Sequence, residues 1–214
     1  MAQDHSSFVG FLLRARNIRR WPLMSQFVEE RLDSHIYQAA AIGHLLGAIE
    51  VAVYGNDEVD PDKVSAMATF HEASEIAGMG DVPSPVKYID PETTALMKRL
   101  EGVFERRLLG SLPTELQAFY QPYIEQDKVD IHVQLAKAAD VICAYLKCAF
   151  ELDKGNKEFH KSMQEMEKQL AAFKERYRSV EYFAKIFMGD ALLTIDEQAK
   201  DMAWIENANK VHID

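Results

Sequence analysis

The stretch Asp60–Gly80, DPDKVSAMATFHEASEIAGMG, decides how this chain is read. Asp60-Pro61 is a strong helix start: a side-chain acceptor at the cap, then a proline in the first turn, where its missing N–H needs no partner. The apolar spacing predicts a helix from there to about Glu75, ending before Gly78-Met79-Gly80. Within it, His71-Glu72-Ala73-Ser74-Glu75 concentrates the chemistry. On a helix, positions 71 and 75 lie one turn apart on one face. His71 and Glu72 stand about 100° apart around the axis, given ~3.6 residues per turn, so their side chains can converge on one ion from two flanks. Glu75 then stands beside that ion, able to hold or deprotonate a water. Taken alone, such a His-Glu pair is more commonly a solvated surface pair.

Outward from this stretch the chain reads as helix almost throughout, with no alternating β-branched run long enough for a strand. Ser6 or Ser7 can cap a first helix to about Arg16. Asn17 to Arg31 is irregular and interrupted by Pro22. Asp33 can cap a long apolar helix through Tyr54. Asp81 to Tyr88 reads as an ordered loop, and Asp90-Pro91 repeats the cap-plus-proline start of a helix to about Leu109. Pro113 opens a short helix, Lys128 to Leu152 forms a long apolar one, and Lys154-Gly155-Asn156 breaks it. Phe159 to Phe173 is amphipathic, and Tyr182 to Met188 is the last packed element. The expectation is an all-α, single-domain helical bundle over residues 1–214, with a core of about 6–195 and a tail of 196–214.

Four further sites bear on the His-Glu pair. His35 lies near the start of the long helix that follows Asp33. Asp140 sits in an apolar run, Ala138-Ala139-Asp140-Val141-Ile142, where an unpaired polar group costs roughly 2–7 kcal/mol. It therefore has a purpose or a partner, Lys137 and Lys147 being the nearest cations. Asp81-Val82-Pro83-Ser84-Pro85 is stiffened by two prolines, and a stiff loop loses little entropy on clamping a ligand. In Arg19-Arg20-Trp21-Pro22, a guanidinium beside an indole can meet phosphate or sugar while the ring lines a base pocket; equally, the tryptophan can be a core anchor.

In order, Arg20-Trp21-Pro22-Leu23-Met24, His35, the 71–75 segment, Gly80-Asp81-Val82-Pro83-Ser84-Pro85-Val86-Lys87-Tyr88 and Ala139-Asp140-Val141-Ile142-Cys143-Ala144-Tyr145-Leu146-Lys147-Cys148 resemble the YfbR-like 5'-deoxynucleotidases of the HD-domain superfamily over roughly residues 8 to 195. The resemblance implies an HD-domain fold, a homodimer, and removal of the 5'-phosphate from deoxynucleoside monophosphates with one divalent metal ion (Mn, Co or Mg). It implies His35, His71, Glu72 and Asp140 as metal ligands and Glu75 as the catalytic acid. It implies substrate contacts at Arg20, Trp21, His71, Asp81, Val82, Pro83, Ser84 and Asp140. Two departures stand out. The family pair is His-Asp and here it is His71-Glu72, one methylene longer; the spacing from His71 to Asp81 is one residue longer than in the typical member. Two alternatives follow: an HD-type hydrolase of another nucleotide (a deoxynucleoside triphosphate or cyclic nucleotide), or a nucleotide-binding protein whose catalysis is weakened at Glu72.

Composition narrows the partners. The 214 residues carry a formal net charge of −10, which opposes broad nucleic-acid binding, since that needs a basic surface. A metal ion with one or two cations can still make a local site for a small phosphorylated molecule. The N-terminal apolar run, Phe8 to Leu13, is too short for a membrane span. Cys143 and Cys148 lie in one apolar helix and read as reduced thiols. A cytoplasmic protein is expected.

Overall fold

The computed structural model describes residues 5–199; His212 and most of the expected tail lie outside them. Ten α-helices follow one another among the described residues: α1 Phe8–Leu12, α2 Leu32–Tyr54, α3 Pro61–Phe70, α4 Ser84–Lys87, α5 Pro91–Gly110, α6 Thr114–Ile124, α7 Ile131–Asp153, α8 His160–Arg176, α9 Arg178–Ile186 and α10 Ile195–Gln198. No strand occurs among them, only an isolated antiparallel bridge between Arg19 and Arg31. The expected all-α bundle is the one observed.

The centre is α2, α3 and α7. Leu46, Ile49, Val64, Met67, Leu135, Ala138, Ala139 and Ile142 meet there, all buried, and α8 and α9 close one side with Leu170, Val180 and Phe183. By length and composition α2 could cross a membrane, but here it lies against α3, α7 and α9. A second core joins α1, α5 and α6 to the segment after α3 through Phe8, Ala73, Ala77, Leu108, Leu112 and Ile124. Two glycines on α2 set how closely α3 approaches. A Cβ at Gly43 would stand 3.3 Å from Val64, and one at Gly47 only 2.8 Å from the Pro61 backbone. Small residues one turn apart thus bring the two helices close enough for their functional side chains to meet.

Cap chemistry accounts for several boundaries. Asp60 accepts from Asp62 and Lys63 N–H, and Asp90 from Thr93 N–H, so both cap-plus-proline readings hold. Asp33 is not a cap: α2 starts one residue earlier, after Arg31, and Asp33 lies in its first turn. The first helix stops at Leu12 and a 3₁₀ turn, Ala15–Asn17, follows. The Asp81–Tyr88 loop contains the short helix α4. The start of the expected tail is ordered: Thr194 and Glu197 form a capping box on α10.

The helix expected over residues 61–75 is split. α3 ends at Phe70, His71 and Glu72 form a turn, and Glu75–Met79 is a wide π-type turn closed by Gly80 N–H donating to Glu75 O at 3.2 Å. Gly78, at φ 131°, leaves the helical region, as glycine can. Wide turns of this kind recur at functional sites.

Candidate active site

The bundle centre brings His35 from the first turn of α2, His71 and Glu72 from the turn after α3, and Asp140 from the middle of α7 to one point. One donor atom from each lies within 4.8 Å of every other. His35 Nε2 stands 3.2 Å from His71 Nε2 and 3.1 Å from Asp140 Oδ1. His71 Nε2 stands 3.6 Å from Asp140 Oδ1 and 3.4 Å from Glu72 Oε1.

The donor set fits a divalent cation. His71 donates its Nδ1–H to Ala68 O at 2.6 Å. That bond fixes the tautomer and leaves the Nε2 lone pair directed into the cluster, the usual second-shell arrangement for a metal-binding imidazole. Burial, followed by the Arg20 charge, lowers the His35 pKa and favours its neutral form. At His71 burial also opposes charge, but Glu72 and Asp140 outweigh it and raise the pKa. Burial acts against the charged form of Asp140 too, yet Lys137 and the two imidazoles hold its pKa well below the ordinary value. Two buried carboxylates thus demand positive charge at the point where two imidazole nitrogens converge. A divalent cation would answer that demand, held by His35, His71, Glu72 and Asp140, with His71 deprotonated at Nε2.

Asp140 has the Lys137 partner weighed for it and also faces the two imidazoles. Its Oδ1 faces the imidazoles and its Oδ2 takes a 2.6 Å ion pair from Lys137. Lys147 is engaged elsewhere, with Glu151.

Glu75 lies beside the cluster with Oε2 buried and without a hydrogen-bond partner. Burial, then the charges of Glu72 and Asp81, push its pKa up to about 9 against the opposing pull of Arg20 and Lys87. A small cleft of about 20 Å³ opens on Glu72, Glu75, Gly80, Val82 and Lys87. That is room for one water.

Arg20 reaches the cluster from the loop between α1 and α2, and Trp21 follows it. The loop closes on itself through Arg20 N–H to Glu30 O and Leu32 N–H to Ile18 O, both 3.0 Å. The Arg20 guanidinium donates through Nε to Glu30 Oε2 at 3.1 Å and through NH1 to Glu72 Oε1 at 3.4 Å, with NH2 4.0 Å from Asp140. Trp21 has φ +55°, a conformation non-glycine residues rarely take. It is held by its N–H to Asp81 Oδ2 at 2.8 Å and by its indole N–H to Glu30 Oε2 at 2.9 Å. Its ring packs on Phe159, with centroids 5.5 Å apart. Of the 81–84 segment, Asp81 touches Trp21, Val82 lines the cleft, Pro83 precedes α4 and Ser84 is exposed at its start. Lys87 is paired with Glu101, a supporting role for the loop.

Sequence reasoning missed two groups. Glu30 fell in a segment read as irregular, and only the loop closure brings it to Arg20 and Trp21. The other is a buried latch. Glu151 accepts from Lys147 at 2.6 Å, Asn156 at 2.8 Å, Phe27 N–H at 3.0 Å and Val28 N–H at 3.3 Å, which pins the far side of the same loop to α7. The i,i+4 spacing of Lys147 and Glu151 on an apolar helix was the signal available for it.

The helical architecture is that of HD-domain phosphohydrolases. An HD-domain phosphohydrolase from Listeria innocua superposes with a TM-score of 0.74 at 23% identity, covering 94% of this chain and 96% of that one. The cyanophage S-2L HD phosphohydrolase DatZ, solved with dA and one catalytic Zn²⁺, gives 0.51 at 20% identity, covering 93% and 94%. Residues 7–191 match the family described as 5'-deoxynucleotidase YfbR-like. The 5'-deoxynucleotidase of Erwinia tasmaniensis is 35% identical over 92% of this chain and 98% of its own length, and that of Vibrio cholerae is 36% identical over 91% and 98%. This chain belongs to the YfbR-like 5'-deoxynucleotidase family.

Proposed function

We propose that this chain is a metal-dependent phosphohydrolase that releases the 5'-phosphate of deoxynucleoside monophosphates. The observation that carries the proposal is the convergence of His35, His71, Glu72 and Asp140 within 4.8 Å. It is supported by family membership and by relatives named 5'-deoxynucleotidase. The zinc and dA of the cyanophage enzyme support a metal and a deoxynucleoside at such a site.

His35, His71, Glu72 and Asp140 would hold one divalent ion. Bound there, a divalent ion supplies a Lewis acid for a phosphate oxygen and lowers the pKa of a water. The longer Glu72 side chain suits an ion that accepts oxygen ligands in flexible geometry, and Mn, Co and Mg are the ions to test. Water would attack phosphorus and form the new P–O bond as the bond to the 5'-oxygen breaks; protonated Glu75 gives its proton to the departing 5'-oxygen, and the surplus proton of the attacking water then restores Glu75. Arg20 bears on the phosphate or sugar. Trp21, with Asp81, Val82, Pro83 and Ser84, crowds the 2' position so that a hydroxyl does not fit.

A triphosphate substrate is less well supported. It needs further cations, and Arg19 and Lys87 face Glu29 and Glu101. The family resemblance suggests a homodimer, and exposed Leu96, Leu100 and Val103 along α5 offer an apolar stripe for one. Two buried free cysteines support a reducing, cytoplasmic setting, and the acidic net charge of −10 speaks against nucleic-acid partners.

The test is phosphate release from the four deoxynucleoside monophosphates and their ribose counterparts with Mn, Co or Mg, beside metal analysis of the protein. Release from the deoxy compounds, dependent on metal, is expected. Inert protein with every metal, together with an inert Glu72→Asp variant, removes the enzyme reading.

A further inference from the structure

We infer that Glu30 is a positioning residue that makes Arg20 and Trp21 a single sugar-selecting element, with one carboxylate oxygen holding both. The inference rests on the 5'-deoxynucleotidase reading and adds to it a residue outside the metal ligands and outside the Arg-Trp pair itself.

Three observations carry it. The first is convergence on one atom. Glu30 Oε2 accepts from Arg20 Nε at 3.1 Å and from Trp21 Nε1 at 2.9 Å, so both of its lone-pair directions are taken by the two side chains. The second is directional. With its Nε edge bound by Glu30, the guanidinium turns NH1 and NH2 toward Glu72 and Asp140, the side where a phosphate would lie. Without that bond the long side chain regains rotamers that point away from the cluster. The third is strain. Trp21 sits at φ +55°, a conformation that persists only when its surroundings over-determine it. Asp81 fixes its backbone N–H and Glu30 fixes the far end of its ring. Glu30 is also paired to Arg20 through the backbone, Arg20 N–H to Glu30 O at 3.0 Å, so carboxylate and guanidinium share one frame. Its side chain is only 11% exposed, as is that of Arg20, so water does not readily replace either bond.

The chemistry of that shared oxygen makes the inference testable. An amide oxygen has the same two lone pairs and reach, so Glu30→Gln can keep both bonds. Glu30→Asp keeps the charge but falls a methylene short, and Glu30→Ala removes the acceptor. A group that only stabilises the fold would lower turnover of every substrate alike; a group that places the selecting side chains changes the ratio between sugars.

The experiment is the ratio of kcat/KM for a deoxynucleoside monophosphate over its ribose counterpart, in metal-loaded wild type, Glu30→Gln, Glu30→Asp and Glu30→Ala, with metal content and circular dichroism recorded for each. The expected result is a fall in that ratio of tenfold or more in Glu30→Asp and Glu30→Ala, with metal content unchanged and the ratio largely retained in Glu30→Gln. An unchanged ratio in folded, metal-loaded Glu30→Asp overturns the inference, as does a Glu30→Gln ratio as low as that of the alanine variant. Should Glu30→Ala fail to fold, the aspartate and glutamine pair decides alone. A wild type that turns over neither sugar, or both equally, would instead sink the reading of the site as a deoxynucleotidase, a failure visible before any variant is made.

Discussion

The Nε2 atoms of His35 and His71 face each other at 3.2 Å, with Asp140 Oδ1 3.1 Å from the first. Two imidazole lone pairs do not attract one another, so the arrangement calls for positive charge between them. His35→Ala and Asp140→Asn are each expected to release the bound metal and to abolish phosphate release. The loss should exceed the ~10–100-fold typical of an outer-shell partner. Metal content by atomic spectrometry and phosphate release in the same preparations check it; a variant that keeps both refutes it.

Glu75 gives a pH prediction. Its pKa of about 9 leaves it protonated at neutral pH and ionised only on the alkaline side. As the general acid it must carry its proton, so kcat should fall on the alkaline side, at a pH below the metal-free value of about 9 because the bound cation offsets the Glu72 charge. Glu75→Gln is expected to lower kcat by roughly 10²–10⁴-fold with little change in KM and to flatten the alkaline limb. A pH–rate profile of both proteins, at saturating metal, decides it.

Gly47 gives a packing prediction. An added Cβ would meet the Pro61 backbone at 2.8 Å, and a backbone atom cannot swing aside as a side-chain tip can. Gly47→Ala should cost about 1–3 kcal/mol, as overpacking commonly does, and should weaken metal binding by displacing α3 and with it His71. Thermal melting and a metal titration measure the two effects. Gly10→Ala, whose Cβ would meet nothing within 4 Å, serves as the control.

The latch gives an acid-stability prediction. Burial alone would raise the Glu151 pKa, but hydrogen bonds from Lys147, Phe27, Asn156 and Val28 outweigh it and hold the group at about 2, against an ordinary 4.5. A depressed carboxylate pKa adds stability that is fully present above the unfolded value and fades as pH falls toward the folded one. Wild type should therefore lose stability between about pH 4.5 and 2 by a component absent from Glu151→Gln. Melting temperatures across that range, compared between the two proteins, are the measurement.

Much of this site is legible in the sequence because the costs that expose it are local. A carboxylate among Ala138, Ala139, Val141 and Ile142 needs a partner, and Asp140 has Lys137 on one oxygen and His35 on the other. Asp60-Pro61 and Asp90-Pro91 mark helix starts because cap and proline act over one turn. Glu30 was invisible for the opposite reason: its value depends on a backbone pairing ten residues away that no periodicity announces. The split at His71 was missed because the turn residues 71–74 carry no proline or glycine, and the wide turn after them is completed by contacts with α5.

The wide turn at Glu75–Met79 lies between His71 and Asp81, in the stretch where the resemblance implies one residue more than usual. Beyond that turn Asp81 accepts from Trp21 N–H at 2.8 Å. A one-residue insertion after Glu75 in that stretch would widen a turn that is already irregular at Gly78, whereas the same change early in α7 would rotate Asp140 away from both histidines by about 100°.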